Sequence, residues 1–387
     1  MSLQLERRLQ PSAAMTWASP FIALLLTTVL AGALFALLGK DPLRGLSMFF
    51  IEPMANLRLV GEVLLKATPL VLCALGLAVC YRSNVWNIGA EGQFLLGAIC
   101  ASGAALWMGD LGLPGVADSA TPTAAGAAGP RGVYAPLVLL AGVLGGAAWA
   151  GLTAWLKDRY NANEILVSLM LVYVAQQLLN YLVFGPWKDP KGFNFPQTPS
   201  FDATMLLPTL LSGTRLHLGA LLALVAVLGF AVFLFRSWQG YQLQVGGLAP
   251  AAARYAGFSD RRALWVALGI SGAMAGLAGA MEAAGPLQRL TPHVSTGYGF
   301  TAIIVAFIGR LHPVGILVGG VLLSMVLIGG ELAQSRMGLP NALTGVFQGL
   351  LLFLLLACDT LVTHRLRWKP RTTVASNAGT TNTGERP

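Results

Sequence analysis

The stretch Asn87-Ile88-Gly89-Ala90-Glu91-Gly92-Gln93 separates two strongly apolar segments of the chain, at roughly residues 57–80 and 94–108. A carboxylate and two amides are costly in lipid, so polar groups inside a bilayer persist mainly where they face protein or water. The glycines of this heptapeptide permit a tight turn or a close approach of helices. The stretch therefore predicts a polar functional region inside a membrane protein.

Three side chains of the heptapeptide are candidates for shaping or gating a polar pathway, namely Asn87, Glu91 and Gln93. The alternative is structural, because Glu91 and Gln93 can also tie helices together by hydrogen bonds without meeting a solute. The sequence leaves both interpretations open.

The composition indicates a polytopic helical membrane protein. Of the 387 residues, 55% are hydrophobic and only 11% are charged, whereas a soluble domain carries about 25% charged residues. Apolar runs of about 20 residues recur along the chain, as transmembrane helices require. The predicted spans lie at about 20–38, 59–80, 88–108, 134–156, 165–184, 216–235, 263–284, 298–311, 313–333 and 341–359.

These ten segments predict an all-α fold, a polytopic transmembrane helical bundle. Ten spans divide into five and five, which permits an inverted repeat of the kind that many transporters use. The third span is a candidate for a broken or half helix. The eighth span is short, and Pro313 separates it from the ninth, so these two are candidates for one re-entrant unit.

The distribution of Lys and Arg predicts the orientation. If the N-terminus lies in the cytoplasm, more Lys and Arg fall in inside segments than in outside segments, as the positive-inside rule expects. We expect a cytoplasmic N-terminus over 1–19, a transmembrane domain over 20–359 and a disordered cytoplasmic tail over 360–387 in an inner-membrane protein. The net charge of +9 then reflects membrane orientation, and we expect no nucleic-acid partner.

Two further segments carry candidate functional residues. Asn163 and Glu164 suit the N-cap and first turn of the fifth span, and Glu164 is also a candidate for the mouth of a pathway. An inside loop at about 246–262 has Pro250 near a helix start and Gly257 as a stop. This pattern predicts a short helix that either docks into a groove of another protein or lies on the surface.

The charged residues and cysteines suggest no enzyme. The sequence lacks a phosphate-binding loop, since Gly39-Lys40 has neither the spacing nor the Ser or Thr. No Cys/His cluster suggests a metal site, and no Ser/His/Asp set is evident. The lone acids Glu282 and Glu331 lie near the outer ends of their spans, where we expect them to reach towards the surface.

Four segments together resemble the permease subunits of bacterial ABC importers, in the nucleoside and simple-sugar branch that works with a BMP-type binding lipoprotein. These are the heptapeptide, the Ala162-Asn163-Glu164-Ile165 region with Leu169-Met170-Leu171, the loop Ala251 to Gly257, and Gly297 to Arg310. They occur in the same order across roughly 57–350. One departure is Val172, because the resemblance leads us to expect Asn at this position. The next residue, Tyr173, is a further candidate for the pathway.

The resemblance implies a division of labour among several proteins. A separate ATPase would bind ATP, so the chain itself needs no cofactor. The ATPase would also bind the short helix in the loop at about 246–262, which we call the coupling helix. A BMP-type lipoprotein would deliver a nucleoside or a related purine or simple-sugar solute, and a second homologous permease would complete the pathway in a heterodimer. The coupling-helix candidates are Gly246, Ala251, Ala252, Tyr255, Ala256 and Gly257. The alternative from a different class is an ion-driven secondary transporter of a small polar solute.

Overall fold

The computed structural model describes residues 2–7, 13–111, 132–211, 213–340 and 342–369. The helices are α1 (Ala13–Leu37), α2 (Pro42–Phe50), α3 (Leu57–Arg82), α4 (Ala90–Asp110), α5 (Ala135–Tyr160), α6 (Glu164–Phe184), α7 (Gly219–Arg236), α8 (Trp238–Leu248), α9 (Pro250–Tyr255), α10 (Asp260–Glu282), α11 (Tyr298–Ile308), α12 (Pro313–Met337) and α13 (Ala342–Thr363). The strands are β1 (Ser2–Arg7) and β2 (His364–Lys369).

The predicted helical bundle is confirmed. Within the described residues, 8 helices are long and apolar enough to cross a membrane, and α11 and α13 supply two shorter apolar segments. These ten segments coincide with the ten predicted spans. The agreement follows from a local requirement, because an apolar run of about 20 residues spans the hydrocarbon core as a helix whatever its neighbours are.

The chain divides into two compact units, one of residues 1–30 with 349–387 and the other of residues 31–348. In the first unit β1 and β2 pair antiparallel, with Ser2 opposite Lys369 and Arg7 opposite His364. This strand differs from the disorder expected over 360–387, because the N-terminal segment offers its backbone a pairing partner. Residues 370–387 of the predicted tail lie outside the described residues.

The second unit is built around α10, which packs against α3, α4 and α5. The crossing of α5 and α10 is a backbone contact, because a Cβ added to Gly276 would lie only 2.2 Å from the carbonyl oxygen of Gly142. Small residues allow such an approach between membrane helices, where packing and not hydrophobicity drives association. A smaller cluster at α2 stacks Phe49 on Phe347, with ring centroids 5.4 Å apart.

The two ends of this unit are distinguished by their contacts. The Arg82 guanidinium at the end of α3 donates to the Leu311 carbonyl and to Gln244 of α8, and Arg261 pairs with Asp158 at 2.7 Å. We call this the α9 end, because α9 lies between α8 and α10. The opposite end, where α3 begins and α12 finishes, is the far end.

Of the two spans expected to be irregular, the third and the eighth, only the eighth is short. The third span is a continuous helix of 21 residues, α4, which follows a non-helical link over residues 83–89. In contrast, α11 has only 11 residues, about 16 Å at 1.5 Å per residue, so it reaches about half-way through a bilayer core. Arg310 and Leu311 turn the chain in the left-handed region, and α12 then starts as a separate long helix.

Candidate functional site

The amides of Asn87 and Gln93 bond each other inside the protein. The Asn87 Nδ2 donates to Gln93 Oε1 at 3.1 Å, and the Gln93 Nε2 donates to Asn87 Oδ1 at 3.2 Å. Both side chains are buried. A buried amide needs partners for its donors and acceptors, and here each amide supplies partners for the other.

The remaining bonds of Asn87 tie the α3–α4 link to its neighbours. Its Nδ2 also donates to Ser271 Oγ of α10 at 2.9 Å, and its backbone carbonyl oxygen accepts from the Tyr81 hydroxyl at 3.1 Å. The next residue, Ile88, donates its N–H to Ser168 Oγ of α6 at 3.2 Å. Through these contacts the irregular segment is joined to α3, α6 and α10.

Glu91 is the polar residue of the heptapeptide that reaches α11. Its Oε2 accepts from the Gly299 N–H at 2.7 Å. The first N–H groups of a helix lack partners within the helix, and a carboxylate there also meets the positive end of the helix dipole. Glu91 therefore caps α11 from another helix.

This contact requires a glycine at the start of α11. A Cβ on Gly299 would lie 2.2 Å from the backbone nitrogen of Glu91, so the two helix starts touch through their backbones. In the predicted division into five and five spans, α4 and α11 each occupy third place. Broken segments at corresponding places of two halves are typical of transporters built from inverted repeats. Here only α11 is short, whereas α4 is a continuous helix that follows a non-helical link.

The candidates on α6 lie elsewhere. Asn163 is the N-cap of α6, as predicted, and accepts from the Ile165 N–H at 2.9 Å, while Glu164 pairs with Lys157 of α5 at 3.0 Å. Tyr173 is 63% exposed. Its neighbour Val172 is buried against α4. The six pathway candidates thus do not form one cluster in the single chain.

The predicted coupling loop contains the short helix expected there. Helix α9 begins with Pro250 at its first turn, and Gly257 stops it with a φ of 78°. Ala253 is buried, whereas Ala251, Ala252, Tyr255 and Ala256 are exposed, and Tyr255 is 98% exposed. Gly246 and Gly257 instead line a small cavity under α9 with Phe258.

Two ion pairs at the far end were not predicted. Lys66 Nζ of α3 lies 2.6 Å from Glu331 Oε1 of α12, and Arg215 forms a bidentate pair with Glu62 at 2.9 and 2.7 Å. The expectation that Glu331 is a lone acid is therefore wrong. The carboxylate of Glu282 is not isolated either, because it interacts electrostatically with Lys66 and Arg215. The two pairs join residues 265 and 153 positions apart, so no local pattern in the sequence indicated them.

His217 is a buried titratable group just before α7. Its Nδ1 accepts from the Gly219 N–H at 3.0 Å, and its ring packs against Gly285. Burial lowers the pKa of His217 to about 4. The imidazole is therefore neutral at pH 7, which suits its role as an acceptor at the start of a helix.

The sequence matches the family described as branched-chain amino acid transport system / permease component over residues 59–356. This range contains the heptapeptide, α9 and α11. It leaves outside the match the two termini that pair as β1 and β2.

Individual relatives cover most of the chain. The glucose ABC transporter permease protein TsgB13 of Haloferax volcanii is 31% identical over 376 residues, 95% of this chain and 94% of the relative. The guanosine ABC transporter permease protein NupP of Bacillus subtilis is 31% identical over 331 residues, 84% of this chain and 89% of the relative. A second guanosine permease of that organism, NupQ, is 26% identical over 265 residues, 67% of this chain and 77% of the relative.

Proposed function

The chain belongs to the branched-chain amino acid transport system / permease component family and is a multi-pass permease subunit of an ABC transporter, and on this premise we propose that it imports nucleosides or related purine or simple-sugar solutes. The permease performs no covalent chemistry. ATP is bound and hydrolysed by a separate ATPase subunit, whose closure shifts the permease between outward-open and inward-open states.

The observation that carries the proposal is the exposed surface of α9. Ala251, Ala252 and Tyr255 lie on this short helix, and Ala256 follows it as the C-cap; the one buried side chain of the helix is Ala253. Small side chains beside one aromatic anchor suit insertion of a short helix into a groove. We assign α9 to the docking of the ATPase, so the α9 end faces the cytoplasm. We also propose that both termini are cytoplasmic in the inner membrane, and the distribution of Lys and Arg supports this.

Two further partners complete the importer. Because two guanosine permeases of Bacillus subtilis both resemble this chain, we propose that a second, homologous permease pairs with it. Tyr173 and Glu164 on α6 are then candidates for the surface facing the second permease or the pathway. A BMP-type lipoprotein delivers the solute at the far end.

The contact of Glu91 with α11 argues for an uncharged solute. Half-helices in transporters commonly direct their positive N-terminal ends at anionic groups of a substrate. Here the protein's own carboxylate occupies that position on α11. We therefore assign Glu91 a gating role, in which it orders α11 beside the pathway. Asn87 and Gln93 stabilise the link between α3 and α4 and so hold Glu91 in position.

The proposal is tested by reconstitution. The chain, its ATPase, the second permease and the lipoprotein are assembled in proteoliposomes, and uptake of radiolabelled guanosine and glucose is measured with and without ATP. We expect uptake that requires ATP and stops when a hydrolysis-deficient ATPase replaces the active one. Solute uptake driven by a proton or sodium gradient, without any ATPase, would overturn the proposal in favour of secondary transport.

A further inference from the structure

Five ionisable side chains from four parts of the chain form a cluster at the far end of the second unit, where Arg336 and Glu52 form a further ion pair. Lys66 pairs with Glu331 at 2.6 Å, and Arg215 pairs with Glu62. The carboxylate of Glu282 on α10 interacts electrostatically with Lys66 and Arg215. They join α3, α10, α12 and the segment before α7. We call these five side chains the far-end cluster.

Part of this cluster lies below the level of the lipid headgroups. Helices α3 and α12 have 26 and 25 residues, so each exceeds the hydrocarbon thickness of about 30 Å by less than 10 Å. Lys66 lies nine residues inside the start of α3, about 13 Å along its axis. Glu331 lies six residues before the end of α12, about 9 Å along its axis.

The exposure of this pair is uneven. The side chain of Lys66 is 17% exposed, whereas that of Glu331 is 56% exposed. A carboxylate that is half exposed at this depth is costly against lipid, because an ionisable group within the hydrocarbon region needs water or polar protein around it. The surface around Glu331 is therefore not a lipid-facing surface.

The partners of the pair leave hydrogen-bonding capacity unused. A Lys ammonium carries three donors and a carboxylate about four acceptor positions, and the contact between Lys66 and Glu331 uses one of each. Donors and acceptors side by side match hydroxyl groups and the polar edge of a nucleobase. A pair of opposite charges also gives no preference for a charged solute.

We propose that Lys66 and Glu331 line the far-end mouth of the solute pathway and contact an uncharged, polyhydroxylated solute or nucleoside directly. This rests on the proposed function for the existence of a solute pathway. The buried amides of Asn87 and Gln93 support the fold around the pathway, and the charged surface of α3 and α12 meets the solute. Arg215 and Glu62 fix the outer turn of α3 beside that surface.

The test is the accessibility of a cysteine at position 331 in the assembled transporter. Glu331→Cys is compared with Val225→Cys on α7, which lies six residues from its helix end at the far end and is 56% exposed. The unmodified chain, whose four cysteines are free, serves as the blank. Vesicles of both orientations are treated with a membrane-impermeant cationic methanethiosulfonate, with and without guanosine or glucose.

We expect Glu331→Cys to react about tenfold faster than Val225→Cys, because the reactive thiolate forms in water and not in lipid. The modification should block uptake, and the transported solute should slow the reaction. Equal slow rates at both positions would overturn the proposal, since the surface would then face lipid or lie beneath the second permease. Fast labelling without solute protection in a transporter that carries the solute would equally exclude direct contact.

A double variant is used if Glu331→Cys prevents assembly of the transporter. If Glu331→Cys leaves Lys66 uncompensated and the complex does not form, the same comparison is made in Lys66→Gln/Glu331→Cys, which removes both charges. The unmodified complex separates the two proposals. If it shows no ATP-driven uptake, the proposed function fails, while the labelling rates still decide whether the surface at position 331 is lined by water.

Discussion

The carboxylate of Glu91 and the backbone N–H of Gly299 are joined by a 2.7 Å hydrogen bond, so the first turn of α4 caps the first turn of α11. This contact is buried. It links two segments that occupy the same place in the two predicted halves of the protein. If α11 moves relative to α4, either this hydrogen bond breaks or the start of α4 moves with α11. The bond can therefore control the movement of α11.

We expect Glu91→Ala to destabilise the permease by about 1–3 kcal/mol, because the buried Gly299 N–H at the start of α11 loses its acceptor. The thermal midpoint of the purified complex should fall and uptake should be lost. Glu91→Gln keeps a carbonyl acceptor of similar size and should retain most of the stability. Equal stability of the alanine variant and the unmodified protein would show that the cap contributes nothing.

We expect Gly276→Ala to destabilise the crossing of α5 and α10 by about 1–3 kcal/mol, since the added methyl group meets backbone and the helices must separate. The matched control is Gly269→Ala on the same helix, where a Cβ meets nothing within 4 Å. That change should be neutral or stabilising by up to about 1 kcal/mol through helix propensity. Thermal unfolding in detergent measures both, and similar midpoints would contradict the close contact.

We expect Tyr255→Asp to weaken binding of the ATPase by at least about tenfold, because the exposed aromatic ring is the largest anchor on α9. Ala252→Arg should act in the same direction by steric exclusion. Co-purification of the ATPase with the permease measures the effect. Tyr160→Asp, at a 65% exposed tyrosine of α5 at the same end, is the control and should leave binding unchanged.

The thermal midpoint should fall between pH 7 and pH 5 through His217. Its pKa is lowered by burial to about 4 from an ordinary 6.5, so the unfolded chain takes up a proton in this interval while the folded chain does not. Stability is complete above pH 6.5 and declines as the pH falls towards 4, by up to about 3 kcal/mol.

The control for this prediction is His217→Asn, whose side-chain oxygen can still accept from the Gly219 N–H but does not titrate. Its midpoint should depend less steeply on pH than that of the unmodified chain over the same range. Parallel curves for the two proteins would assign the acid sensitivity to other groups.

Much of the fold was predictable because it depends on local properties. The ten apolar segments, the cap formed by Asn163, the start of α9 at Pro250 and its stop at Gly257 all follow from residues within one or two helical turns. The partners of the polar groups were not predictable in this way. Glu331 looked like a lone acid since Lys66, which neutralises it, lies 265 residues earlier.

The sequence by itself determined that this chain spans a membrane as helices, because lipid cannot satisfy a backbone and each span must satisfy its own. It also located the polar heptapeptide, but it did not distinguish a pathway from an internal tie. Only the tertiary structure decided that Asn87 and Gln93 satisfy one another while Glu91 caps α11 and Glu331 stays exposed. The free energy of a buried polar group depends on the partners brought to it from distant parts of the chain, and those partners exist only once the helices have packed.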